Sequence, residues 1–442
     1  MATGDLNRRH FLKHLAGLSA LALPGMQFVQ TLRAAAPALK KQNKSIIILW
    51  MNGGPPTIDI WDLKPGQPTG GESRPMKTAV SGIEINEMLP TVAAQMKNLA
   101  IVRALSTNEG DHMRGRILMH TSRVPSPIVT YPSLGSMAYY YASEVTKVAR
   151  EVALPGFISV NTPSIGPGFL GMNFASFTVQ NPGQPPQNIR PPESLGQGGD
   201  EMERIRRRQR LFYTVEDDFR EGLVPYLPAT TREKYQDAAK AHEDIYAKAF
   251  SLVASPLGKV FDLSTEKKSL QDAYGANNFG KGCLLARKLV EAGVTCVEVD
   301  LGGWDLHQGV FTGLKRLLPQ VDKGMGTLVK DLVDRGMWKN TVIVWMGEFG
   351  RTPRINQNVG RDHWARCWSV VVGGGAIQGG QVFGATDEDG TSIKGDDMAS
   401  VGDLYATLYK AMGIDPTMQI RDNLGRPLSI APEKSNVIKG LI

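Results

Sequence analysis

Residues 295–307 read TCVEVDLGGWDLH, and residues 341–353 read TVIVWMGEFGRTP. In each, an apolar run of strand length stops at glycine and passes straight into residues that bind cations. Asp305 and His307 follow the first run, Glu348 follows the second, and GRDHW then supplies Asp362 and His363. Strands buried on both faces read as short apolar runs. Open α/β sheets place their ligands beyond the carboxyl ends of such strands. The pattern therefore predicts that Asp305, His307, Glu348, Asp362 and His363 converge on one divalent ion. Carboxylate and imidazole donors of this kind are compatible with Zn²⁺, Mn²⁺, Ca²⁺ or Mg²⁺. Asp305 and His307, two apart in an extended segment, share one side of it. Arg351 is placed to pair with Glu348 or to hold a substrate.

The same rhythm runs outward from these motifs. SIIILW (45–50), LAIVRA (99–104), residues 157–160 and residues 367–372 read as further strands. Helical patterns cover residues 134–147, 279–293, 310–335 and 401–412. Strands alternating with helices predict an α/β fold: a mainly parallel sheet with helices on both faces. Residues 161–192 are rich in Gly, Pro, Asn and Gln and read as loop, while residues 201–253 read as charged helix. They suggest an insertion around 161–260 within a single domain spanning 44–430. No fixed-period repeat is visible.

The amino terminus carries Asn7-Arg8-Arg9-His10-Phe11-Leu12-Lys13, a twin-arginine export signal. An apolar stretch at 15–23 follows, too short to span a bilayer, and then Ala34-Ala35-Ala36 as a cleavage site. The expectation is a signal peptide over residues 1–36, the twin-arginine translocase as partner, and a periplasmic or secreted mature chain with no stable membrane span. Removing Arg8, Arg9, Lys13, Arg33 and Asp5 lowers the formal net charge from +7 to +4. With no long basic run, a nucleic-acid partner is not expected. RIRRRQR (204–210) lies among acidic residues in a helical pattern and reads as a solvated face. Cys283, Cys296 and Cys367 have no ligand spacing and read as buried thiols.

Five motifs together resemble the domain-of-unknown-function 1501 family, a sulfatase-like branch of the alkaline phosphatase superfamily. They are WMNGGPPTIDIWDLKPG (50–66), DHMRGRILMHTS (111–122), GGWDLH, GEFGRTP and GRDHW, with GDLYATLYKAMGID (402–415) as a weaker match. The resemblance implies a metal-centred site that hydrolyses or transfers phosphate or sulfate esters. It implies a metal-binding carboxylate after the first strand, where Asp59 is the candidate and Asp62 reads as structural. It places a nucleophile at the start of the helix near residue 112, where this chain has His112 and Met113 instead of a serine. His112 is then a ligand, a general base or a direct nucleophile, with Thr57, Ser106 and Thr107 as alternative hydroxyls. Arg114 and Arg116 are placed to hold an anionic oxygen. Gly347-Glu348 stands where relatives carry an Asp-His pair, and His363 resembles the late histidine ligand. His120, rotated by roughly 80° from His112 on a helix, reads as a core histidine. Trp304 and Trp364 read either as apolar walls of the site or as ordinary core residues.

The reading is an exported metal-dependent hydrolase of small-molecule or glycan phosphate or sulfate esters. The alternative is a non-catalytic protein on the same scaffold that binds metal or an anionic glycan. The missing serine favours the alternative, and the full ligand set favours the enzyme.

Overall fold

Ser45–Asn52 carries no polar side chain between Ser45 and Asn52, and all of it but Asn52 is buried. It forms β1, the strand about which the sheet is built. In the computed structural model, residues 44–146, 154–184, 186, 201–222, 224–228, 231–232, 243, 246 and 256–442 are described. Residues 1–36, expected as a signal peptide, His242 and much of the charged insertion lie outside these residues. Lys44–Ile442 forms one compact unit.

The remaining strands of the main sheet are β2 (Leu99–Leu105), β3 (Phe157–Val160), β4 (Phe177–Val179), β5 (Cys296–Gly302), β6 (Thr341–Met346), β7 (Trp368–Gly374) and β8 (Gln381–Phe383). Their order is β8-β2-β7-β6-β1-β5-β3-β4. β1 lies parallel to both β5 and β6, with Trp50 opposite Asp300 on one side and Met346 on the other. β3 runs parallel to β5 and β4, and β8 parallel to β2. Only β7 runs against its neighbours β2 and β6. The sheet is thus mainly parallel, as the alternation of strands and helices predicts.

Alternate residues of the central strands feed two cores. Ile47, Leu49, Val297, Val299, Ile343 and Trp345 face one layer of helices: α3 (Asn278–Glu291), α4 (Val310–Val321) and α5 (Thr327–Asp334). Ile46, Ile48, Trp50, Val342 and Val344 face the other: α1 (His112–Thr121), α2 (Leu134–Tyr140) and α6 (Val401–Ala411). A strand buried on both faces needs apolar residues at successive positions, which is why β1 and β6 show no alternation, while β5 sets Glu298 and Asp300 alternately with its valines. The helical pattern over 310–335 is broken by a wider turn at Asp322–Gly326. Gly326 there packs against Thr91, where a Cβ would come within 2.7 Å of the threonine methyl. Residues 161–192, expected as loop, contribute the short strand β4. The three cysteines are free and buried. Among the described residues no helix is long and apolar enough to cross a membrane.

Candidate metal centre

The carboxyl ends of β6, β1 and β5 lie side by side in the middle of the sheet. The chain leaves β1 through Gly53, β5 through Gly303-Trp304 to Asp305, and β6 through Gly347 to Glu348. These exits are crowded. A Cβ on Gly53 would stand 2.6 Å from the Asp305 nitrogen, and its φ of +116° also favours glycine. Helix α1 closes over the same place, capped by Asp111, whose Oδ1 accepts the Arg114 N–H. Gly115 lets α1 lie against Glu348 and Phe349.

His112, His307 and His363 surround Asp305. Its Oδ1 lies 3.3 Å from His112 Nε2, 3.1 Å from His307 Nε2 and 3.5 Å from His363 Nε2. The three imidazoles are held alike, each through its other ring nitrogen. His112 Nδ1 meets Glu348 Oε1 at 2.7 Å. His307 Nδ1 meets Asp362 Oδ1 at 3.0 Å. His363 Nδ1 meets the Gly110 carbonyl oxygen at 2.7 Å. Carboxylates and carbonyls only accept, so each Nδ1 donates and, in the neutral ring, each Nε2 carries a lone pair. The consequence is a cluster of lone pairs aimed at one carboxylate. His307 Nε2 and His363 Nε2 are 3.0 Å apart. Two neutral acceptors do not attract at that distance; a cation or proton between them is needed. Atoms of His112, Asp305 and His363 all fall within 4.8 Å of one another. Anchoring each ligand imidazole through its far nitrogen is the arrangement protein metal sites use.

Charges around the cluster follow from this packing. Burial works against the Asp305 charge, but the Arg351 guanidinium overcomes it and holds the carboxyl down at about 2. The Glu348 hydrogen bond raises the His112 pKa, against its partial burial. Burial lowers that of His363, and the His307 hydrogen bond lowers that of Asp362. Glu348 is buried; Oε1 also accepts the Gly53 N–H at 2.9 Å, while Oε2 is buried without a hydrogen-bond partner.

Other expected site residues fall elsewhere. Asp59, expected as a ligand, lies outside the cluster: Arg361 donates to both its oxygens, at 2.7 and 2.8 Å, and both side chains are buried. Arg114 does not face the site; its fork is taken by Glu109 at the surface. Asp362 reaches the cluster only through the far side of the His307 ring. Arg351 pairs with Asp305 at 2.5 Å, not with Glu348; its Nη1 also lies 3.3 Å from His307 Nε2, and its other contacts are to the carbonyls of Gly53, Gly54 and Arg361. Its fork holds Asp305 in place. Arg116, one turn beyond His112, donates to the Pro163 carbonyl and keeps a buried Nε without a partner. Thr57 is buried and accepts the Ser369 N–H. Trp304 is buried in the core.

A second polar group was missed from sequence. His120 is buried against Glu298, which also accepts from Ser164 at 2.6 Å. Two residues on, Asp300 is buried with Oδ2 unpartnered. The two acids alternating through TCVEVDL were the available signal. Burial pushes the Asp300 pKa from 3.8 up to about 6. Below pH ~4 the carboxyl is protonated folded and unfolded alike. Between ~4 and ~6 only the folded chain keeps the proton, so stability falls as pH rises through that window. Asp300→Asn should therefore stabilise the fold above pH 6, by up to about 3 kcal/mol. Urea unfolding of both proteins at pH 4 and pH 7.5 checks this; a stability difference that does not change with pH contradicts it.

The family model described as "Protein of unknown function (DUF1501)" matches residues 43–442. The chain belongs to the DUF1501 family. No curated protein matches it. Solved structures similar to this DUF1501 protein include the PsFucS1 sulfatase from Pseudoalteromonas sp., at 13% identity and a TM-score of 0.38, covering 87% of this chain and 70% of that one. Another is the lipoteichoic acid synthase LtaP from Listeria monocytogenes, at 9% and 0.37, covering 88% and 76%. The alkaline phosphatase from the Antarctic bacterium TAB5 matches at 11% and 0.32, covering 84% and 98%. Superpositions this loose carry no weight on chemistry, which rests on the cluster itself.

Proposed function

We propose that this DUF1501 protein is an exported, metal-dependent hydrolase of phosphate or sulfate esters. The observation that carries the reading is the set of three imidazoles, locked through Nδ1, that turn their Nε2 atoms toward Asp305. Nitrogen donors with one carboxylate favour Zn²⁺ over Ca²⁺ or Mg²⁺. A divalent ion bound there would polarise an ester oxygen and lower the pKa of water. The chain's own residues supply the rest. Arg351 keeps Asp305 ionised and in place. Phe349, buried and packed against the rings of both His112 and His363, keeps bulk water from beneath them.

The binding-protein alternative has one observation in its favour: α1 begins Asp111-His112-Met113, with no hydroxyl side chain at its start. Metal analysis of the mature protein, followed by assays on aryl phosphates, phosphodiesters and aryl sulfates, separates the two. The hydrolase reading expects turnover that a chelator abolishes and Zn²⁺ restores. Tight metal binding with no turnover on any of the three ester classes supports the alternative.

Export rests on the twin-arginine motif, which lies outside the described residues. Changing Arg8 and Arg9 to Lys should leave the uncleaved precursor in the cytoplasm, as read by fractionation and immunoblotting. Normal export of that variant removes this part of the proposal.

A further inference from the structure

His307 is the most exposed of the three imidazoles, and Asp362, which orients it, is more exposed still, at 57% of its side chain. A carboxylate so open to water does not hold an imidazole on its own, because exposed pairs contribute little and side-chain freedom opposes them. The structure supplies a second fixture. Asn356 Nδ2 donates to the His307 carbonyl at 3.0 Å and to Asp362 Oδ1 at 3.2 Å. The same carboxylate oxygen thus receives both the His307 ring N–H and the Asn356 amide. At its other end, Asn356 Oδ1 accepts the N–H groups of Asn358 and Gly360, closing a tight turn.

That turn is built against His307. A Cβ on Gly360 would come within 2.0 Å of the His307 carbonyl oxygen. Arg361 N–H donates to the Leu306 carbonyl, Gly309 N–H to Asn358 and Val310 N–H to Val359. Val359 adopts φ 53°, a conformation that branched side chains strongly disfavour, while half exposed. Nothing in the packing of the Val359 side chain accounts for this. The strained residue sits where the chain must turn to deliver Arg361 to Asp59 and Asp362 to His307, and such strain gathers at functional sites.

We propose that Asn356 is a positioning residue of the metal centre: it fixes Asp362, which in turn fixes the tautomer and orientation of His307. This rests on the reading of the three imidazoles as ligands. It predicts an effect on ion binding from a side chain that touches none of the three imidazole rings nor the Asp305 carboxylate.

Asn356→Asp is the sharpest test. It keeps the size and the turn-forming oxygen, but sets an oxygen against both Asp362 Oδ1 and the His307 carbonyl. Two measurements are made, with Zn²⁺ as the probe. Nitrogen-15 NMR of histidine-labelled, metal-free mature protein reads the His307 tautomer; Zn²⁺ affinity is read by competition with a chelator. The wild type should show His307 protonated at Nδ1. Asn356→Asp should lose that preference and bind Zn²⁺ roughly 10–100-fold more weakly, with its unfolding midpoint little changed. Should that variant fail to fold, Asn356→Ser, which retains a turn-forming oxygen too short to reach Asp362, should show the same two effects. A variant that folds, keeps the tautomer and binds Zn²⁺ like the wild type overturns the proposal. If the wild type itself binds no Zn²⁺, the metal reading fails, and the tautomer alone decides the role of Asn356.

Discussion

His112→Ala should reduce ester turnover by at least roughly 10–100-fold, since losing an imidazole ligand costs the proposed centre no less than losing a group that only orients one. The substitution does two things at once. It removes an Nε2 atom 3.3 Å from Asp305, and it strips the buried Glu348 of its imidazole partner, leaving Oε1 with only the Gly53 N–H. Ser106→Ala and Thr107→Ala should lose far less: the backbones of Ser106 and Thr107 donate to Ala399 and Ala365, and no hydroxyl stands at the start of α1. Steady-state kinetics on whichever ester class is turned over, with circular dichroism to confirm the fold, gives the ordering. Activity that survives in His112→Ala but is abolished in Ser106→Ala would mean a hydroxyl nucleophile and a different centre.

Asp59→Ala should destabilise the fold by about 3–5 kcal/mol, the cost of stranding a buried charge. Arg361 is wholly buried. Its remaining donors go to the carbonyls of Thr69, Thr352 and Pro353, none of which neutralises it. The loss should spread to the site, because Arg361 directly precedes Asp362 and bonds the Leu306 carbonyl beside His307. Removing both charges together, as Asp59→Ala with Arg361→Met, should recover part of the stability, since a buried pair is often replaceable by apolar groups where a half-pair is not. Urea midpoints of the two variants and the wild type check this. A single-variant loss below 1 kcal/mol would mean that water reaches Arg361.

These two residues mark what the chain does and does not disclose in one dimension. The strands bearing the site were legible because parallel strands covered on both faces need largely apolar runs: 45–50 and 341–346 supply them, and 295–301 does so around Glu298 and Asp300. Glycine after each run, followed by Asp305-Leu-His307 or Glu348, made the convergence legible as well. Asp59 was not: it follows the first strand as a ligand would, and only the fold brings Arg361 to it across 302 positions of chain. Arg114 shares a helix with His112, but it lies on the wrong side, where Glu109 takes it. The division between residues that face the cluster and residues that orient them was also illegible. Asp362 and His363 are adjacent, yet the carboxylate lies behind His307 while the imidazole faces Asp305. The reversed strand β7 carries no sign of its direction, because a buried run reads the same both ways.

His112, His307, His363 and Asp305 are proposed to form one metal centre. A crystal structure of the Zn²⁺-loaded mature protein, with anomalous scattering measured at the zinc edge, tests it most directly. One strong peak is expected at ordinary zinc–ligand distance, about 2.0–2.2 Å, from the Nε2 atoms of the three histidines and from an Asp305 oxygen. A peak that leaves the three imidazoles unbound, or no peak at the carboxyl ends of β1, β5 and β6, would contradict it.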